Sequence, residues 1–305
     1  MVRVGLSQGN NSYDTVRKAL ESISDDVHVP TGVSVLIKPN MVLESVELAV
    51  TPVGAVQATI DFLTEKRVRK FIVAEGTAEN GDTMGAFERF GYLSLKEKYD
   101  VEFRDLNQDE YIKFEALDVN LKPVSIRLAK SCLDSYLVSV ARMKTHDQVI
   151  ATLSIKNVAI GAILDPDRDP SRGGLVSHDP KSLNLSITRI AQAIVPQLAI
   201  NDGVVGMQGN GPVEGVPISS GVAVAGTDAL AVDRIGTRIM GFDPRTIGYL
   251  WYLSQLRNMS SENIQVVGDD ISQCISKYNP HEKFAEMLSW WVEDWRSYVD
   301  GDYLH

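Results

Sequence analysis

Lys144-Thr145-His146 and, about three helical turns further on, Lys156-Asn157 stand in an apolar stretch that includes Val149, Ile150, Leu153, Ile155, Val158 and Ile160. Lysine is almost never fully buried without a partner, so two lysines in such company predict a lined cavity for something anionic. A lysine close to other cations in a dry pocket loses proton affinity and can act as a base or nucleophile, and a histidine beside it can move protons. Lys144, His146, Lys156 and His178 are therefore the candidate catalytic residues; His178 precedes a helix start, where free amides favour negative charge. Lys38, Asn40 and Asn157 are candidate substrate contacts. So are Gly209 and Gly211, in a glycine-rich run that lets the chain approach a ligand without side-chain obstruction. Glu75 and Asp202 can pair with the lysines, accept protons or ligate a divalent metal, and spacing alone leaves these open. Plainer readings stand beside these: a solvated turn at Lys38-Pro39-Asn40, a snorkelling Lys156, a loop cap at Asn157 and a simple turn at the glycines.

The elements that must position these residues follow α/β grammar. Val2 to Leu6 and Val33 to Ile37 read as strands around a helix over Tyr13 to Ile23. Thr51 as N-cap and Pro52 at the first helical position open a helix with an apolar face at Val53, Val56, Ile60 and Leu63, followed by a strand at Phe71 to Ala74. Val101 to Phe103, Phe114 to Leu117 and Val124 to Leu128 are strands of an excursion or sheet edge. Tyr136 to Met143 is a strand, Val149 to Ile163 a helix, and residues 165–174 a polar loop that can serve as a lid. Asp179-Pro180 opens a helix carrying Leu183, Ile187, Ile190 and Ile194; strands follow at Leu198 to Ile200, Gly221 to Ala225 and Ile264 to Val267, with an Asp228-capped helix between the last two. Phe284, Met287, Leu288, Trp291 and Trp295 predict a C-terminal helix docked on the core. The expected fold is thus α/β, with mostly parallel sheets flanked by helices, in two lobes (residues 1–130 and 131–305) with a cleft between them. In such sheets ligands sit beyond the carboxyl ends of the strands. Lys38-Pro39-Asn40, Glu75-Gly76-Thr77, Lys144-Thr145-His146 and Asp202-Gly203 each follow a strand and would meet at one rim.

The chain has 305 residues, 44% of them hydrophobic, enough for substantial cores without staples. Its net charge of -10 argues against a nucleic-acid partner. The two cysteines, Cys132 and Cys274, are far apart, which excludes a disulfide framework or a chain-encoded cluster. With neither an apolar signal core at the N-terminus nor a membrane span, a cytoplasmic protein is expected. The glycine run ending at Gly211-Pro212 lacks the terminal Gly-Lys-Ser/Thr of a nucleotide loop.

Ile37 to Asn40, Ala74 to Gly76, Lys144 to His146, Leu153 to Asn157, Asp202-Gly203 and Gly209 to Pro212 occur in the order seen in the family known as domain of unknown function 362, which this sequence resembles over most of its length. The resemblance implies an α/β fold and an association with iron–sulfur proteins, because some relatives carry a ferredoxin-like cysteine-rich segment that this chain lacks. Gln208 stands where relatives commonly have an acidic residue, removing a potential ligand or base. A looser similarity, from Thr51-Pro52 into Ala74-Glu75-Gly76, is to the N-terminal half of nickel-pincer lactate racemases; it is a likeness of architecture without their histidine-rich stretch.

The leading expectation is an enzyme of isomerase, racemase or lyase type that binds a small carboxylate or phosphate, with Lys38, Lys144 and Lys156 supplying positive potential and His146 and His178 moving protons. The first alternative is a redox or metallocofactor-linked protein in which His146, His178, Glu75 and Asp202 hold a divalent metal and a separate ferredoxin supplies electrons. The second is a non-catalytic binding or assembly protein, with a homo-oligomer among its forms and the segment through Trp290, Trp291 and Trp295 as the contact.

Overall fold

The computed structural model describes residues 1–78, 81–165, 177, 179–301, 303 and 304. Its strands are β1 (Val2–Gln8), β2 (Val35–Pro39), β3 (Lys70–Glu75), β4 (Asp100–Asp105), β5 (Tyr111–Leu117), β6 (Pro123–Ala129), β7 (Tyr136–His146), β8 (Ile150–Thr152), β9 (Leu198–Gln208), β10 (Val216–Ile218), β11 (Val222–Gly226) and β12 (Ile264–Gly268). A ten-stranded sheet runs in the order β12-β1-β11-β9-β7-β2-β3-β4, with β10 added to β9 and β8 to β7. From β9 to β4 all neighbours are parallel, β1 and β12 are parallel to each other, and β11 runs antiparallel to both of its partners. The central strands β2, β7 and β11 are buried throughout, the pattern of strands covered on both faces.

Each face of the sheet has its own core. The helices Ser12–Glu21 and Val53–Glu65 place Val16, Leu20, Val56, Ile60 and Leu63 against Ile37, Val73, Val138 and Ile200 on one side. On the other, the helices Ser154–Gly161, Pro180–Ala193, Ala229–Ile239 and Gly248–Leu256 cover Leu36, Leu137, Met143 and Ala199. Alternation along each strand feeds both cores, which is why the strands read as near-continuous apolar runs.

Several expectations change. The sheet is not divided at residue 130: β2 pairs with β7 across that point, and β1 lies between β11 and β12, so the two lobes are not seen as separate sheets. The expected excursion is a hairpin, with β5 and β6 forming their own two-stranded sheet. The helix expected from Val149 begins only at Ser154, because Ile150–Thr152 turns back on Lys144–His146 as β8. Asp202 and Gly203 lie inside β9, whose far half is held by β10, instead of following a strand. Pro52, not Thr51, is the N-cap, and the Thr51 hydroxyl instead accepts from Asn40 N–H at 2.8 Å and donates to Val140 O at 2.7 Å. The C-terminal aromatics are not on one helix. Short helices at Phe284–Met287 and Arg296–Val299 flank a turn whose Trp290 and Trp295 pack around Trp251 and Tyr252. Beyond Asp165, the expected lid falls outside the described residues, as does His178.

Candidate functional site

β9, β7, β2 and β3 are parallel neighbours, so their carboxyl ends form one rim. At the β2 end the Lys38 ammonium is fully buried and donates to Glu75 Oε1 at 2.6 Å, Pro39 O at 3.2 Å and Asn157 Oδ1 at 3.3 Å. Three acceptors match its three N–H groups. Glu75 also accepts from the Met41 and Gly76 amides, while Asn157 donates to Lys38 O and Ser139 Oγ and accepts from Asn40 Nδ2. Lys38, Glu75 and Asn157 thus satisfy one another, and Lys38 is an ion-paired brace in place of the free cation expected from the sequence. Asn40 keeps a buried Oδ1 without a partner among the described residues. Gly161, at the end of the helix that carries Asn157, is what admits Lys38: a Cβ there would lie 2.4 Å from the lysine's Cε and Nζ.

Beside this network three cations are buried with almost nothing to bind. Lys144 is 0% exposed, and its ammonium has one hydrogen bond, to Ala49 O at 3.2 Å. Lys156 is 8% exposed and makes no hydrogen bond among the described residues. Arg142 is 7% exposed, with a buried Nε that has no partner among the described residues. Burial, then the nearby Lys156 and Arg142 charges, holds Lys144 well below the ordinary lysine range. Burial also lowers Lys156 to about 8, against the pull of Asp147 and with help from Lys38. Arg142 is lowered by burial and supported by Asp202. Lys144 thus feels the charges of Lys156, Arg142 and Lys38, and Lys156 feels that of Lys38. A site holding three such cations can take up an anion, and burial makes its lysines give up their protons more readily than free lysines do.

The helix that carries Lys156 and Asn157 is capped from a distance. Asp233, on another helix, accepts from Ser154 N–H at 2.9 Å, Ile155 N–H at 2.8 Å and Asn201 Nδ2 at 2.9 Å. Burial nonetheless raises its carboxyl to about 7. No local signal at Ser154 announces this cap; its only trace in the sequence is an acid within the apolar run Ala231-Val232-Asp233. Arg142 escaped the sequence reading in a similar way, since it lies inside a strand read as core. The signal available was a cation in an otherwise apolar run.

His146 Nδ1 accepts from Gln148 N–H at 3.1 Å and lies 3.0 Å from Asp147 Oδ1. While Nδ1 accepts from the Gln148 amide, a neutral ring carries its proton on Nε2; a ring protonated at Nδ1, neutral or charged, donates to Asp147 instead and gives up the amide contact. A cavity of about 590 Å³ opens beside Asp147 and Gln148, bounded by Asp179, Lys283 and Met287. Gly209 and Gly211 lie against the lysine-histidine segment: Thr145 Oγ1 donates to Gly209 O at 2.9 Å, and a Cβ on Gly211 would fall 2.3 Å from Thr145 O. Gly211 therefore permits backbone packing. Gln208 accepts from Asn279 N–H at 2.9 Å and ties the glycine loop to the C-terminal segment.

Among the described residues no three of His, Cys, Asp and Glu gather as a metal-binding group. Glu75 is occupied by Lys38 and two amides, and Asp202 has Arg142 as its charged neighbour. His178, the fourth member of the metal set weighed from the sequence, lies outside the described residues. No helix among the described residues is long and apolar enough to cross a membrane.

A family profile with the description Domain of unknown function (DUF362) matches residues 35–238, a span that contains every rim residue named above. A thylakoid-associated protein of Synechocystis sp. is 26% identical over 231 residues, covering 72% of this chain and 66% of that protein. The lactate racemase apoprotein from Thermoanaerobacterium thermosaccharolyticum has a similar fold, with a TM-score of 0.50 and 11% identity over 77% of this chain and 56% of that one. The chain thus spans just under two thirds of the first of these proteins and little more than half of the second.

Proposed function

Given that the chain belongs to the DUF362 family, we propose that it is an enzyme whose rim binds a small carboxylate or phosphate and moves a proton on it, as an isomerase, racemase or lyase does. One observation carries this reading: among the described residues, the buried cations Arg142, Lys144 and Lys156 make a single side-chain hydrogen bond, from Lys144. An uncompensated buried charge is expensive, and a bound anion relieves all three at once. Lys144, the most enclosed and with its proton affinity lowered chiefly by burial, is the proton acceptor. Arg142 and Lys156 grip the anionic group and stabilise charge that develops beside it. His146, with Asp147 Oδ1 3.0 Å from its Nδ1, returns a proton. Lys38, Asn157 and Asn40 act one step back, fixing the helix and strand ends that hold the cations.

Titration calorimetry with acetate and with inorganic phosphate tests the reading. Wild-type protein should bind at least one of them. Lys144→Met and Lys156→Met, which keep length and remove charge, should each weaken binding about tenfold or more, the worth of a charge-assisted hydrogen bond. Absence of binding to wild-type protein, or equal binding by the folded variants, would overturn it.

A further inference from the structure

Arg142 and Asp202 are Cα partners in the parallel pair β7 and β9, so their side chains leave the sheet on the same face. Each is buried and each has an unmatched group. Arg142 Nε has no acceptor. Asp202, 1% exposed, uses Oδ1 to accept from Val204 N–H at 3.0 Å and leaves Oδ2 without a donor among the described residues. The two do not hydrogen-bond to one another. Their neighbours are committed elsewhere: the Tyr92 hydroxyl donates to Thr51 O, and the Tyr278 hydroxyl bonds Ser220 Oγ at 3.0 Å. The Ser12 hydroxyl is near enough to favour ionised Asp202, yet outside hydrogen-bonding geometry with Oδ2.

Unmatched buried donors and acceptors are rare, and an adjacent pair of opposite kind is a specification for what should lie between them. A bare anion answers Arg142 but brings negative charge toward Oδ2. A group that accepts at the guanidinium and donates to the carboxylate answers both. Resting on the anion-binding reading above, we propose that Arg142 and Asp202 form a recognition couple for a small anion that carries a hydrogen-bond donor, a hydroxyl or an ammonium, on the atom next to its charged group. Asp202 then selects among anions that the cations alone would hold equally.

Calorimetry with acetate, glycolate and glycine tests this, because the three share a carboxylate and differ in the neighbouring donor. Wild-type protein should bind glycolate or glycine about tenfold or more tighter than acetate, and whichever is tighter identifies the donor as hydroxyl or ammonium. Asp202→Asn keeps an acceptor for Val204 N–H and presents a donor where Oδ2 stood. It should erase that preference and strengthen acetate. Equal wild-type affinity for all three, a test that needs no variant, overturns the couple while leaving the anion site standing; so does a preference that survives in folded Asp202→Asn. Failure of all three to bind wild-type protein overturns the couple, and failure of inorganic phosphate as well overturns the anion site.

Discussion

Replacing Gly161 by alanine sets two physical effects against each other, and the sign of the result decides between them. Gly161 is the last residue of its helix, where alanine gains up to about 1 kcal/mol from helix propensity. The added Cβ, however, would fall 2.4 Å from Lys38 Cε and Nζ. A lysine tip usually swings away cheaply, but this one is fully buried and fixed by Glu75, Pro39 O and Asn157. Moving it leaves the Glu75 carboxylate buried without its cation, and breaking a buried pair costs about 3–5 kcal/mol. Allowing for the propensity gain, Gly161→Ala should lose about 2–4 kcal/mol. Urea unfolding followed by circular dichroism reads this as a lower midpoint with an unchanged slope. A variant as stable as wild type, or more so, would mean that the Lys38–Glu75 pair does not brace the rim.

Lys156 lies near 8 in the folded protein against 10.5 for an ordinary lysine. Between those pH values the unfolded chain keeps a proton that the folded chain has released, so stability should climb with pH over that window by up to about 3 kcal/mol; denaturant titrations of wild type and Lys156→Met, in which that climb disappears, check it. Asp233, near 7 against 3.8, has the opposite sign. From about pH 4 to 7 the folded chain holds the proton, so stability should fall with rising pH by at most about 4 kcal/mol, and Asp233→Asn should remove that decline. Truncation by Asp233→Ala strands two amides and Asn201, and should lower stability by about 2–4 kcal/mol at pH 7, measured by thermal unfolding. Gly211→Ala drives a Cβ to within 2.3 Å of a carbonyl oxygen that has no side-chain freedom; a loss of about 1–3 kcal/mol should appear in the same assay.

Local pattern carried the reading where local forces decide. Val53, Val56, Ile60 and Leu63 form a helix stripe because only a helix puts them on one face, and Asp179 and Asp228 cap helices they immediately precede. Where distant contacts decide, the pattern misled. Val149 to Leu153 looks helical by spacing, yet Ile150 takes a φ of 70° and starts a strand that pairs back on His146. The helix start is fixed at Ser154 by Asp233, a residue with no sequence link to it. The C-terminal tryptophans keep helical spacing but are drawn around Trp251, outweighing the intrinsic preference of a short segment. At the rim, Lys38, Lys144 and Lys156 were legible as a group because lysine is conspicuous among apolar residues. That Glu75 neutralises the first and leaves the others exposed to each other depends on how parallel strands line up.

The position of β1 bears on how the chain is assembled. β1 is synthesised long before its hydrogen-bonding neighbours β11 and β12, with Val4 facing Gly226 on one side and Val266 on the other. Until those late segments are synthesised, β1 has no place in the sheet, and the edge of β9 that β11 will cover stays available to any passing strand. The rim residues are all translated before the sheet can close behind them, so a product truncated ahead of β11 would contain most of the anion site on a scaffold with an open seam.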